Sequence, residues 1–163
     1  MMLFFVCVPA VIAGIILAVR LRRHRQVPVP ASGPGNLSPD WELTEIDRFL
    51  YEKCCRYMVE RRPFLVESFT IEDLSMALCT NRNYLSKAIN GFSGRNFRQY
   101  VNYYRVTYSM EIFRRNMGLK VSELSMLSGF NNQVTFNHAF KTVMEETPGS
   151  WCTRMRENIL LSP

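Results

Sequence analysis

The sequence predicts an all-α protein with two helix-turn-helix subdomains, joined by a long linker helix and preceded by one transmembrane helix. Three observations carry that prediction. Asp73-Leu74-Ser75-Met76 returns fifty residues later as Glu123-Leu124-Ser125-Met126, and a break and a second polar-apolar stretch follow each copy. Between the copies, residues 96–116 carry apolar side chains on two helical faces, the pattern of a helix packed on both sides. The first nineteen residues hold no charged side chain. No strand alternation appears anywhere along the chain.

Met1 to Val19 is mostly Phe, Val, Ile, Leu and Ala, and at about 1.5 Å per residue it reaches roughly 28 Å, close to the hydrocarbon thickness of a bilayer. Arg20, Arg22, Arg23, His24 and Arg25 follow at once. A secretory signal carries its positive charge ahead of the apolar run, and here it comes behind. The positive-inside rule then puts Met1 outside and the remainder in the cytoplasm, so the expected location is single-pass in the inner (cytoplasmic) membrane. The alternative is that this helix is one piece of a larger, truncated membrane sensor. Residues 20–39 form a basic juxtamembrane run and a linker, with four prolines and two glycines between Gln26 and Pro39.

Residues 40–158 form the helical domain. Leu43, Ile46, Leu50, Tyr57 and Met58, with Phe49 beside them, make an apolar stripe from about Trp41 to Glu60, and Pro63 ends it. Thr70 and Asp73 have capping-box spacing, opening the first helix-turn-helix over residues 70–90. Cys79-Thr80 is its turn, Asn81 caps its second helix, and Gly91 and Gly94 stop it. The linker helix spans 96–116. Ser122 caps the second helix-turn-helix, residues 122–143, with Gly129-Phe130-Asn131 as the turn.

Charge distinguishes the segments. The chain carries a net +6, yet residues 40–80 hold five basic against nine acidic side chains. Residues 81–141 reverse this with nine basic side chains and only Glu111 and Glu123. A polyanion partner for the repeated region follows. Five cysteines form no C-x-x-C pair, and His24 and His138 are the only histidines, so no metal site and no disulfide framework is expected. No cofactor is implied. Without a glycine-rich phosphate loop or a His or carboxylate pattern to activate Cys54, Cys55, Cys79 or Cys152, the chain is not expected to be an enzyme.

The run Ser122-Glu123-Leu124 … Ser128-Gly129-Phe130-Asn131 … Thr135-Phe136 … Ala139-Phe140-Lys141 … Thr147-Pro148 … Trp151 resembles the DNA-binding domain of AraC/XylS-type bacterial transcription regulators. Tyr84-Leu85-Ser86-Lys87 and Phe97-Arg98-Gln99-Tyr100 … Arg105 resemble its first unit and connector, so the likeness covers about Leu43 to Arg156. It implies a homeodomain-like domain of seven helices that docks two recognition helices in successive major grooves of promoter DNA. It departs from the pattern at Cys79, where the turn usually has Gly, at Ser75 and Ser125, where Ala is usual, and at Ile89, where Phe is usual. Glu145 takes the place of the usual Gly after the second recognition helix, where a left-handed conformation costs a residue other than glycine about 1 kcal/mol. The base-reading positions it implies are Asn83, Ser86 and Lys87 in the first unit and Gln133, Val134, Asn137 and His138 in the second. Lys suits guanine, Gln and Asn suit adenine, Ser either, and Val a thymine methyl. Arg82, Asn90, Arg98, Asn132 and Lys141 are the implied backbone contacts, which set register and salt dependence.

The expected function is therefore sequence-specific, membrane-tethered regulation of transcription. Its partners are double-stranded promoter DNA, RNA polymerase, the membrane through residues 1–19, and a possible membrane sensor. The competing reading is a membrane-anchored helical protein-interaction module that has lost DNA binding.

Overall fold

The computed structural model describes residues 43–160, within one compact unit, Pro39–Pro163. The expected membrane helix at 1–19 and the linker at 20–39 lie outside the described residues. Among the described residues no helix is long and apolar enough to cross a membrane. They form seven α-helices and no strand: α1 Glu45–Arg61, α2 Ile71–Ala77, α3 Arg82–Ser93, α4 Phe97–Arg115, α5 Val121–Leu127, α6 Gln133–Met144 and α7 Pro148–Leu160. A 3-10 turn, Pro63–Leu65, follows α1.

The duplication extends further than the helix-turn-helix pairs. Helix α1 lies across α3 much as α4 lies across α6, so each unit is a three-helix bundle. Thr44 and Asp47 close a capping box at the start of α1, and Asn96 and Gln99, fifty-two residues on, close one at the start of α4. Cys54 and Met58 of α1 are fully buried. At the same offset, Val106 and Met110 of α4 are buried too. The buried face of α1 thus runs through Asp47, Leu50, Cys54 and Met58. Ile46 and Phe49, expected in the apolar stripe, are instead 78% and 67% exposed.

Two separate cores result. Leu50, Met58, Leu74, Leu85, Ile89 and Tyr100 belong to the first; Phe113, Leu124, Phe136, Phe140 and Trp151 belong to the second. Helix α4 contributes to both, with Tyr100 and Val101 on one side and Val106, Met110 and Phe113 on the other. Its nineteen residues give about 28 Å of rod. The two apolar faces expected of the linker helix are therefore present. Helix α7 closes the second core, with Trp151 packed edge-on between Phe113 and Phe140. Arg156 donates to the carbonyls of Met117 and Leu119, tying α7 to the loop before α5.

Some boundaries differ from expectation for local reasons. Helix α3 runs through Gly91 to Ser93 and ends at Gly94, whose φ of 65° is left-handed. Gly91 serves packing instead: a Cβ there would lie 2.3 Å from the side chain of Leu43. Lys120, not Ser122, is the residue before α5. Its N–H donates to Glu123 Oε2 at 2.7 Å, as the Thr70 N–H donates to Asp73 Oδ2 at 2.8 Å. Ser122 lies inside the first turn. Glu145 does adopt the left-handed conformation at the end of α6, φ 63°.

Candidate nucleic-acid interface

Helices α3 and α6 are built alike: a buried apolar edge and a polar face. In α3, Leu85, Ala88 and Ile89 are buried, which leaves Arg82, Asn83, Tyr84 and Asn90 exposed and Ser86 and Lys87 half-buried. In α6, Phe136, Ala139 and Phe140 are buried, while Gln133, Val134, Asn137, His138 and Lys141 are exposed. Spacing three and four apart on a helix puts each polar set on one surface. Val134, 79% exposed, is an apolar side chain held in solvent on that face, as a thymine-methyl contact requires.

Caps fix where each helix begins. The Asn81 side-chain oxygen accepts the N–H of Asn83 at 2.7 Å, and that of Asn132 accepts the N–H of Thr135 at 2.8 Å. Asn132 is further engaged through its amide, which donates to Asn131 Oδ1 at 2.8 Å. Its side chain is thus committed to the cap, and only its exposed backbone edge faces outward. Arg98, exposed in the first turn of α4, borders an open cleft with Asn102, Asn131 and Thr135. This places its cation beside the turn that precedes α6.

The electrostatics of the two faces differ. Arg82 lies 3.0 Å from Glu72, both well exposed, an arrangement worth little in solvent. Lys87 lies 3.2 Å from Asp47, whose side chain is only 5% exposed. The same Asp47 oxygen also accepts from the N–H and the hydroxyl of Thr44, each at 2.9 Å. Burial tends to raise this carboxyl, but the Thr44 hydrogen bonds and then Lys87 outweigh it, so it sits below its ordinary value. On α6 no carboxylate pairs with Lys141 or His138 among the described residues.

Sequence reasoning did not single out Asp47 or Tyr84. Asp47 looks like one more charge in an acidic stretch, and only its three-residue spacing from Thr44 marks it as a cap. Tyr84 is 63% exposed on the outer face of α3, and its apolar ring disguises it as core. Burial, and after it the neighbouring Cys55, pushes the Cys54 thiol up to about 12, and burial raises Cys152. Among the described residues no group of three His, Cys, Asp or Glu could hold a metal ion.

Residues 74–154 match the family model described as "Helix-turn-helix domain". No curated protein matches the sequence significantly. Several solved structures share the fold. The C-terminal domain of AraT, a response regulator from Geobacillus stearothermophilus, is 22% identical with a TM-score of 0.53, covering 74% of this chain and 88% of that one. A Listeria innocua protein of unknown function is 24% identical with a TM-score of 0.54, covering 63% and 93%. The DNA-binding domain of AdpA, a global transcriptional factor in complex with a target DNA, is 16% identical with a TM-score of 0.56, covering 69% and 97%. At these identities the likeness is one of fold. Over residues 74–154 the chain is thus similar to the helix-turn-helix domain family.

Proposed function

We propose that the chain is a sequence-specific DNA-binding regulator of transcription, which docks α3 and α6 in successive major grooves. The observation that carries this is the duplicated three-helix bundle, each copy offering a capped helix with a buried apolar edge and an outward polar face. The likeness to the AdpA domain, solved on its target DNA, supports the same reading. Asn83 and Ser86 on α3 and Gln133, Val134, Asn137 and His138 on α6 meet base edges; Lys87 stands among them but is held by Asp47. Arg82, Asn90, Arg98, Asn132 and Lys141 lie toward the phosphates. Residues 1–19 hold this domain at the inner membrane, facing the cytoplasm, where it meets RNA polymerase and any membrane sensor.

Gel-shift titration of the full chain against promoter fragments from its own genome, at two salt concentrations, tests the DNA reading. Binding should weaken steeply with salt, because each phosphate neutralised contributes about −0.9 to the log–log slope. Gln133→Ala should cost about 1–3 kcal/mol on the preferred sequence and far less on others. No retardation of any fragment at low salt would leave the helical protein-interaction module in its place. The tether is tested separately by fractionating cells: the full chain should sediment with membranes, and a chain lacking residues 1–19 should not.

A further inference from the structure

Lys87 is a half-buried cation of α3 whose ammonium is already taken. Asp47 reaches it from α1, a different helix, at 3.2 Å. The carboxylate is almost fully buried and fixed by two further hydrogen bonds from Thr44, so it cannot swing away to release its partner. The Arg82–Glu72 pair is different, since both side chains are more than half exposed and exchange readily with solvent or phosphate.

The duplicated frame provides an internal control. The position equivalent to Asp47 is Gln99, which makes the same capping contacts with Asn96, at 2.9 and 3.1 Å. Capping therefore does not demand a negative charge, and the second bundle manages without one. The position equivalent to Lys87 is His138, exposed and without a carboxylate partner among the described residues. The first bundle has an ammonium and a buried carboxylate where the second has an imidazole and an exposed amide.

We infer that Asp47 is a positioning residue for DNA recognition, holding the Lys87 ammonium on α1 and away from the phosphates. On α3 only Arg82 is then left to meet phosphate, beside the uncharged Asn83, Tyr84, Ser86 and Asn90, while Lys141 and Arg98 supply ionic attachment around the second unit. A second sequence-independent cation on α3 would strengthen binding to every DNA alike and steepen its salt dependence without adding discrimination. Asp47 prevents that. The inference rests on the DNA-binding reading above.

The test measures the salt dependence of the full chain on a random-sequence duplex, in parallel with a preferred promoter fragment. Asp47→Asn keeps an amide oxygen to accept from Thr44, as Gln99 does for Asn96, but releases Lys87. Its log–log salt slope should steepen by about 0.9, a roughly three- to fourfold larger loss of affinity between 50 and 200 mM salt. The preference for the promoter fragment should stay as it was, because a phosphate contact strengthens binding to both duplexes alike. Lys87→Met should leave the slope unchanged, and Asp47→Asn combined with Lys87→Met should abolish the gain. Glu45→Gln, the same change of charge on the same helix at a residue paired only with Arg48, should have no effect. The inference is overturned if Asp47→Asn leaves the slope as it was, or if Glu45→Gln steepens it equally. It is also overturned if Lys87→Met alone flattens the slope, since Lys87 would then already be on a phosphate. The Lys87→Met result stands even should Asp47→Asn fail to fold. Loss of all DNA binding by the unmodified chain removes the proposed function itself, a separate outcome.

Discussion

The two three-helix bundles follow one backbone plan but place their irregularities at opposite ends. Each needs a left-handed residue in its turn and another after its recognition helix. The first bundle uses Cys79, φ 52°, and then Gly94, φ 65°; the second uses Gly129, φ 81°, and then Glu145, φ 63°. Surroundings explain the turn. A Cβ on Gly129 would come within 2.6 Å of the Phe64 carbonyl oxygen and 2.8 Å of the Leu65 Cα, because this turn is pressed onto the segment leaving α1. Cys79 is exposed and keeps its side chain. The second bundle therefore has glycine where it touches the first and tolerates strain at its free end.

Cations on the first helix of each bundle show the same division. Lys53 of α1 donates to the Leu78 carbonyl within its own bundle at 3.2 Å. Its counterpart on α4, Arg105, reaches out of the second bundle. It donates to the carbonyls of Phe64 at 2.6 Å, Val66 at 2.9 Å and Glu67 at 3.3 Å, and its guanidinium lies 5.5 Å from the Phe130 ring centroid. Burial lowers its pKa, with Glu67 opposing. One side chain joins the segment leaving α1 and the turn at Phe130 to the connector.

Breaking that joint should have the largest effect. Arg105→Met should cost about 3 kcal/mol, since it leaves buried carbonyls without a charged donor. Urea unfolding should show this as a lower midpoint, and Lys53→Met should shift it far less. Gly129→Ala comes next, at about 2 kcal/mol or more, from the left-handed penalty together with the clash. Alanine at Gly94, where nothing lies within 4 Å, should cost only about 1 kcal/mol.

Ser125→Ala should go the other way. Its hydroxyl is buried with no partner among the described residues, whereas Ser75, its counterpart, donates to the Glu72 carbonyl at 2.8 Å. Removing an unsatisfied group stabilises by about 1 kcal/mol; Ser75→Ala should bring no such gain. Smallest of the set, Glu145→Gly should raise the melting temperature by a few degrees, worth up to about 1 kcal/mol. A thermal melt of both variants checks the pair.

Much of this plan was legible in the chain. The Thr70 and Asn81 caps and the two-faced linker helix follow from local chemistry, where a residue's neighbours in sequence are its neighbours in space; the left-handed Glu145 follows from the family resemblance. The third helix of each repeat was hidden because α1 and α4 share caps and burial pattern but little identity: Cys54 answers Val106, and Asp47 answers Gln99. The stripe assigned to Ile46 and Phe49 failed because hydrophobicity alone cannot tell that α1 buries a carboxylate in their stead. Lys87 posed the converse problem. Its place on the outer face was readable, but a pairing across forty residues depends on how α1 crosses α3, and that is tertiary.

Because α4 is both the wall of one core and the opening helix of the next, the domain has no seam at which it can be divided. A chain stopped before Phe97 would lose Tyr100 and Val101 from beneath α1 and α3, and one begun after it would lack the carbonyls that Arg105 holds. The two halves repeat one plan yet cannot be truncated or exchanged one at a time.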